Sequence, residues 1–105
     1  MAITPEKKVK NAVVLILKEY DAYWFYASTH GYGQSGVPDI VACYRGYFIA
    51  IECKAGSNVP SALQTLNLSR ITKSGGIALV VNERNIDDVR QAIRSIDAIT
   101  GTQAS

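Results

Sequence analysis

Residues 37–55 hold four charged side chains in an otherwise apolar stretch: Asp39, Arg45, Glu52 and Lys54. Two of them flank the likeliest reversal of chain direction, Arg45-Gly46, and the runs on either side read as strands over 38–44 and 47–55. With Arg45-Gly46 as a two-residue hairpin loop, Tyr44 faces Tyr47, and the pairs continue as 43 with 48, 41 with 50 and 39 with 52. Directly opposite residues share a face, with Cβ atoms about 4.5–5.5 Å apart. Asp39 and Glu52 are then neighbours, and Lys54, two residues on, lies on the same face. A longer loop would slip every pair, and Arg-Gly is not the preferred type I′ sequence.

Two carboxylates facing each other beside an apolar sheet are unfavourable unless something compensates them. A divalent metal does so, and magnesium suits one or two carboxylates together with water and a substrate phosphate. Such an ion polarises a phosphodiester, activates water and steadies the leaving oxygen. Lys54 can orient or deprotonate that water, or stabilise developing charge. The plainer alternative is a solvated strand end at Asp39 and a surface Glu52–Lys54 ion pair of little energetic weight. Charges closing a strand that is apolar on both faces favour the functional reading.

The positioning elements follow from pattern. Thr4-Pro5 is a helix start, and Val9, Ala12, Val13, Ile16, Leu17 and Tyr20 recur at helical spacing. Residues 22–29 are aromatic and β-rich, a strand, and 30–37 a glycine-rich loop. Ser61 to Gln64 matches a capping box opening a second helix to about Ser74, which Gly75-Gly76 ends. Residues 77–81 are a short apolar strand. Asn85 caps a third helix carrying Ile86, Val89, Ile93 and Ile96, and 98–105 read as a loose tail after a single domain over 1–97. In the hairpin, Ile40, Ala42, Ile49 and Ile51 point one way, and Val41, Phe48 and Ala50 the other. The sheet therefore needs cover on both sides. Tyr23 to Tyr26 and Ile77 to Val81 read as core or interface, with core the default. Glu6 continues the apolar stripe of the first helix towards its start, although a first-turn glutamate also suits the helix dipole. Gln64 belongs to the capping box, yet its position between Leu68 and Ile71 points it inward.

Gly36-Val37-Pro38-Asp39, then Gly46, then Ile51-Glu52-Cys53-Lys54, resembles the PD-(D/E)XK nuclease superfamily. With Glu6 upstream and Gln64 followed by Gly75-Gly76 downstream, the set is similar to its VRR-NUC branch in standalone, phage or bacterial form. The resemblance spans roughly residues 3 to 82. It implies an α/β fold with an αβββαβ restriction-endonuclease-like core, a central mixed sheet flanked by helices, followed here by a C-terminal helix. It implies Asp39, Glu52 and the main-chain carbonyl of Cys53 as metal ligands for Mg2+, with Mn2+ as a substitute. It implies Lys54 as the catalytic lysine, Glu6 as an active-site acid and Gln64 as a supporting polar residue. Standalone members are similar to Holliday junction resolvases, so the resemblance also implies a homodimer acting on branched four-way DNA junctions. The alternatives are a less selective nicking or flap nuclease, and an inactive DNA-binding module on the same scaffold. The presence of Asp39, Glu52 and Lys54 together argues against the inactive module.

Contact with DNA needs positive charge around a negative site. The formal charge of this 105-residue chain is only +2, but it becomes +5 when Glu6, Asp39 and Glu52 are assigned to the metal. Lys7, Lys8, Lys10, Arg45, Arg70 and Lys73 are candidates for phosphate contact, and Tyr32 for stacking on an unpaired base. Taken singly, each cation also reads as a solvated surface charge. Gly31 to Gly36 satisfies G-x-G-x-x-G, but Val37-Pro38 and a strand follow where a dinucleotide site needs a helix, so no nucleotide cofactor is expected. Cys43 and Cys53 are too few for a disulfide scaffold or zinc site, fall on opposite faces of the hairpin, and read as buried free thiols. No signal peptide is visible and no apolar run is long enough to cross a bilayer, so a cytoplasmic protein of a bacterial or phage-infected cell is expected.

Overall fold

The computed structural model describes residues 3–27 and 35–101. Its elements are α1 (Pro5–Glu19), β1 (Tyr23–Tyr26), β2 (Ile40–Tyr44), β3 (Tyr47–Cys53), α2 (Ala62–Lys73), β4 (Ile77–Val81) and α3 (Asp87–Thr100). The four strands form one mixed sheet in the order β1-β2-β3-β4. β1 and β3 each run antiparallel to β2, while β4 runs parallel to β3 after the α2 crossover.

The hairpin has the register counted from the sequence: Tyr44 pairs with Tyr47, Ala42 with Ile49, and Ile40 with Ile51. Arg45 and Gly46 both take positive φ, +50° and +84°, the backbone signature of a type I′ turn. The charged end of Arg45 is anchored on α3. The Arg45 Nε lies 2.8 Å from Asp97 Oδ1, and the Tyr44 hydroxyl donates to the same oxygen at 2.8 Å. The hairpin tip is thereby tied to α3.

One face of the sheet carries the core. Ile40, Ala42, Tyr44, Ile49, Ile51, Cys53 and Val81 are buried there with Val9, Val13, Val14, Ile16 and Leu17 of α1 and Val89, Ile93 and Ile96 of α3. Both helices owe this to apolar residues three and four apart, and the Arg90–Glu19 ion pair, 3.0 Å, joins them. At its start, α1 has the Lys7 N–H donating to Thr4 Oγ1 at 3.2 Å, with Pro5 in the first turn.

The other face is covered only in part. α2 packs against β4, and Ala50 and Glu52 are buried. The rest of this face lies open, along β1 and at the hairpin end of β2 and β3: Tyr23, Phe25 and Phe48 are 73%, 47% and 45% exposed, and Cys43 is exposed as well. This corrects two expectations, β1 as core and Cys43 as buried. A single helix about 10 Å across cannot cover four strands spaced at ~4.8 Å, and the strand α2 lies against is β4. Two element ends also differ. Asn85 does not cap α3: Ile86 holds that position without a side-chain bond, while the Asn85 side chain accepts from the Asn82 N–H and donates to Val80 O and Asp88 Oδ2. α3 itself continues to Thr100, three residues into the expected tail. No helix among the described residues is long and apolar enough to cross a membrane.

Candidate functional site

β2 begins one residue after Asp39 and β3 ends one residue after Glu52, so both acids sit at the same end of the hairpin, in the register that pairs Ile40 with Ile51. The arrangement there is locally dictated. In the continued register Pro38 stands opposite Cys53 and has no N–H to offer a ladder. The Asp39 side chain bridges the two strands at this end: its Oδ2 accepts the Cys53 N–H at 2.8 Å. The ladder towards β1 holds one step longer, with the Ala27 N–H donating to Asp39 O at 2.9 Å. Asp39 is thus fixed at backbone and carboxylate alike.

Glu52 is 1% exposed. Its Oε2 lies 3.1 Å from Lys54 Nζ, and the Lys54 side chain is itself only 15% exposed. The Lys54 N–H donates to Val81 O at 2.9 Å, which extends the β3–β4 ladder to this lysine. Burial, and next the charge of Asp39, push the Glu52 carboxyl above its ordinary range, with Lys54 pulling the other way. Burial pushes the Cys53 thiol up to about 12, so this cysteine stays a neutral core residue and only its backbone is offered to the site.

Glu6 reaches the same place from α1. Lys10 Nζ lies 3.7 Å from Glu6 Oε2 and 3.8 Å from Asp39 Oδ1. Glu6, Asp39, Glu52, Lys10 and Lys54 therefore form one cluster, in which three carboxylates face two ammonium groups.

The donor set fits a magnesium-like ion. Among the described residues Glu52 Oε1 is buried with no hydrogen-bond partner, and an unpaired carboxylate oxygen in that position is expensive unless a cation meets it. No group of three or more His, Cys, Asp or Glu side chains able to hold a metal occurs among the described residues. Two carboxylates with the remaining positions filled by water, a carbonyl or substrate oxygen is an arrangement that magnesium accepts.

The other sequence candidates fall in different places. Gln64 lies in α2, where its Oε1 accepts the Ser61 N–H at 2.8 Å and completes the capping box. It clamps the first turn of α2. The buried polar residue of α2 is Asn67, which donates to Ser35 O and Leu63 O and so ties α2 to the loop that delivers Asp39. Sequence reading passed over Asn67; its one signal is a polar residue one turn after Leu63 on the sheet-facing side. Arg45 sits at the hairpin tip, between β2 and β3. It stands at the opposite end of the hairpin from the acids, roughly 20 Å along the strand, and its guanidinium is engaged with Asp97 and Tyr44. Arg70 and Lys73 close α2, and Arg70 lines a cavity of about 370 Å³ with Phe48, Ser74 and Gly76, again at the hairpin end of the sheet. Lys7 and Lys8 are exposed on the first turns of α1 next to Glu6, and Lys7 stands 4.9 Å over the Tyr26 ring. Tyr32 lies outside the described residues. No helix opens at Gly36, which is followed by a bend and β2.

No family model matches the chain, and no curated protein matches it. Among solved structures seven chains match. One, described as "VRR_NUC domain protein", superposes with a TM-score of 0.58 over 93% of this chain and 89% of its own, at 20% identity. The likeness is one of fold, and it is the fold that the motif of Asp39, Glu52 and Lys54 implied.

Proposed function

We propose that this chain is a metal-dependent DNA endonuclease whose reacting centre is Asp39, Glu52 and Lys54. The observation that carries the reading is the buried Glu52 carboxylate, with Oε1 unpartnered and Oε2 held by Lys54, next to Asp39. The likeness to a VRR_NUC domain protein supports it.

Asp39 and Glu52, with the Cys53 carbonyl, would hold Mg2+ or in its place Mn2+, and the bound ion would supply Lewis-acid activation of a phosphodiester and its attacking water. The chain's own residues do the rest. The Cys53 N–H fixes the Asp39 carboxylate. Lys54, held at 3.1 Å from Glu52, keeps an ammonium at the reacting phosphate, where it orients water or stabilises the charge that develops on oxygen. Glu6 adds a third acid at the entrance. Lys7 and Lys8 are the cations placed to meet the DNA backbone beside it. Gln64 supports the site through α2.

The finer reading is a Holliday junction resolvase acting as a homodimer in the cytoplasm of a bacterial or phage-infected cell. Two cuts on a four-way junction need two related sites. The open apolar face of Tyr23, Phe25 and Phe48 supports a second copy as its cover, since exposed apolar side chains clustered on one face mark interaction surfaces. The second reading is a less selective nicking or flap nuclease, and the third an inactive DNA-binding module on this fold. Cleavage of sequence-matched junction, flap and duplex DNA separates them. Symmetric paired cuts on the junction alone are expected; equal cutting of all three substrates supports the nicking reading, and binding without cutting in Mg2+ or Mn2+ supports the module.

A further inference from the structure

We propose that Lys10 is the internal counter-ion of the acidic site and that it leaves Asp39 for a DNA phosphate when a divalent cation loads, coupling metal binding to DNA binding. The inference rests on reading Asp39 and Glu52 as the metal ligands.

The two lysines of the cluster are held differently. Lys54 makes a short contact with Glu52, 3.1 Å, and is largely enclosed. Lys10 stands 3.7 Å from Glu6 and 3.8 Å from Asp39 and is 25% exposed. Those distances are beyond a good hydrogen bond, so charge alone holds the Lys10 ammonium between two carboxylates, and it can leave without breaking one. Asp39 Oδ2 is engaged by the Cys53 N–H, so the Asp39 oxygen that Lys10 faces, Oδ1, is the one available to a cation. A dication at that oxygen and the ammonium repel each other. The lysine stem is flexible and its head a point charge suited to phosphate, and it already lies beside the exposed Lys7 and Lys8 on the same helix. A lysine that opposes the metal in the free protein and grips phosphate in the loaded one makes each ligand favour the other, reciprocally.

The test is Mn2+ binding followed by the electron paramagnetic resonance of the free ion, in the absence of DNA, for wild type, Lys10→Gln, Lys10→Arg and Asp39→Asn. Lys10→Gln is expected to bind Mn2+ about five- to tenfold more tightly than wild type, as loss of a unit charge near a dication implies. Lys10→Arg keeps the charge and is expected to stay within about twofold of wild type. The second measurement is affinity for a labelled four-way junction in Ca2+ against EDTA. The strengthening by Ca2+ is expected to be smaller in Lys10→Gln than in wild type. Equal Mn2+ affinity of Lys10→Gln and wild type, with Asp39→Asn weakened, overturns the counter-ion role and leaves the metal centre standing. Undiminished Ca2+ coupling in Lys10→Gln overturns the exchange onto phosphate. Wild type binding Mn2+ no better than Asp39→Asn removes the metal reading and this inference with it.

Discussion

Glu52 is a carboxylate the fold keeps out of water, and its physics yields the sharpest residue-level expectations. Its carboxyl is raised above the ordinary 4.5, first by burial and then by Asp39. Between 4.5 and that raised value the folded chain holds a proton that the unfolded chain has lost, so stability falls as pH rises through the interval and is regained on acidification. The metal-free Glu52→Gln protein, which lacks the buried charge, is expected to melt at or above the wild-type temperature at pH 7. A calorimetric scan in EDTA reads this, and a clearly lower melting temperature would contradict it. Mg2+ is expected to raise the melting temperature of wild type but not of Glu52→Gln. The charged pair opposite each other was legible in the sequence, because it follows from counting outward from one turn. The ion pairs of Lys10 with Glu6 and Asp39, and of Arg45 with Asp97, were not legible there. Their roles depend on how α1 and α3 dock, and docking angles leave no mark on local spacing.

At the scale of elements, two short segments hold the site in place, the loop before β2 and the first turn of α2. Gly36 has φ +77°, and a Cβ there would lie 2.7 Å from Leu63 Cγ and 3.1 Å from Asn67 Nδ2. Gly36→Ala is therefore strained in its backbone and crowded against α2, and a loss of roughly 1–3 kcal/mol is expected by urea denaturation. Ser61→Ala removes the cap that accepts the Gln64 N–H and is expected to cost about 1 kcal/mol; no measurable change would show that the capping box contributes nothing. Arg45→Ala is expected to leave affinity for DNA within about twofold of wild type at fixed salt, because its charge is engaged with Asp97. Strong helix stripes, the capping box and the hairpin register were all readable, since each is a local rule. The start of α3 was misread because Asn85 satisfies Val80, Asn82 and Asp88 instead, a tertiary choice that competes with capping.

For the whole molecule, the three-layer arrangement followed from strands apolar on both faces, but the extent of the second layer did not. α2 is only twelve residues long, and nothing in its sequence says which strands it will cover. What remains open is a face carrying Tyr23, Phe25 and Phe48. If a second copy covers it, Phe48→Glu is expected to shift the mass in solution from dimer to monomer by light scattering, while wild type at monomer mass across the micromolar range would remove the dimer from the account. At the same scale, the proposed function has Asp39, Glu52 and Lys54 together hydrolysing DNA with a bound metal. The measurement is cleavage of a labelled four-way junction by wild type and Lys54→Ala, with Mg2+ and with EDTA. Cutting by wild type in Mg2+ alone, reduced about a hundredfold or more in Lys54→Ala, is the predicted result. Cutting that persists in EDTA, or that Lys54→Ala performs as well as wild type, would contradict it.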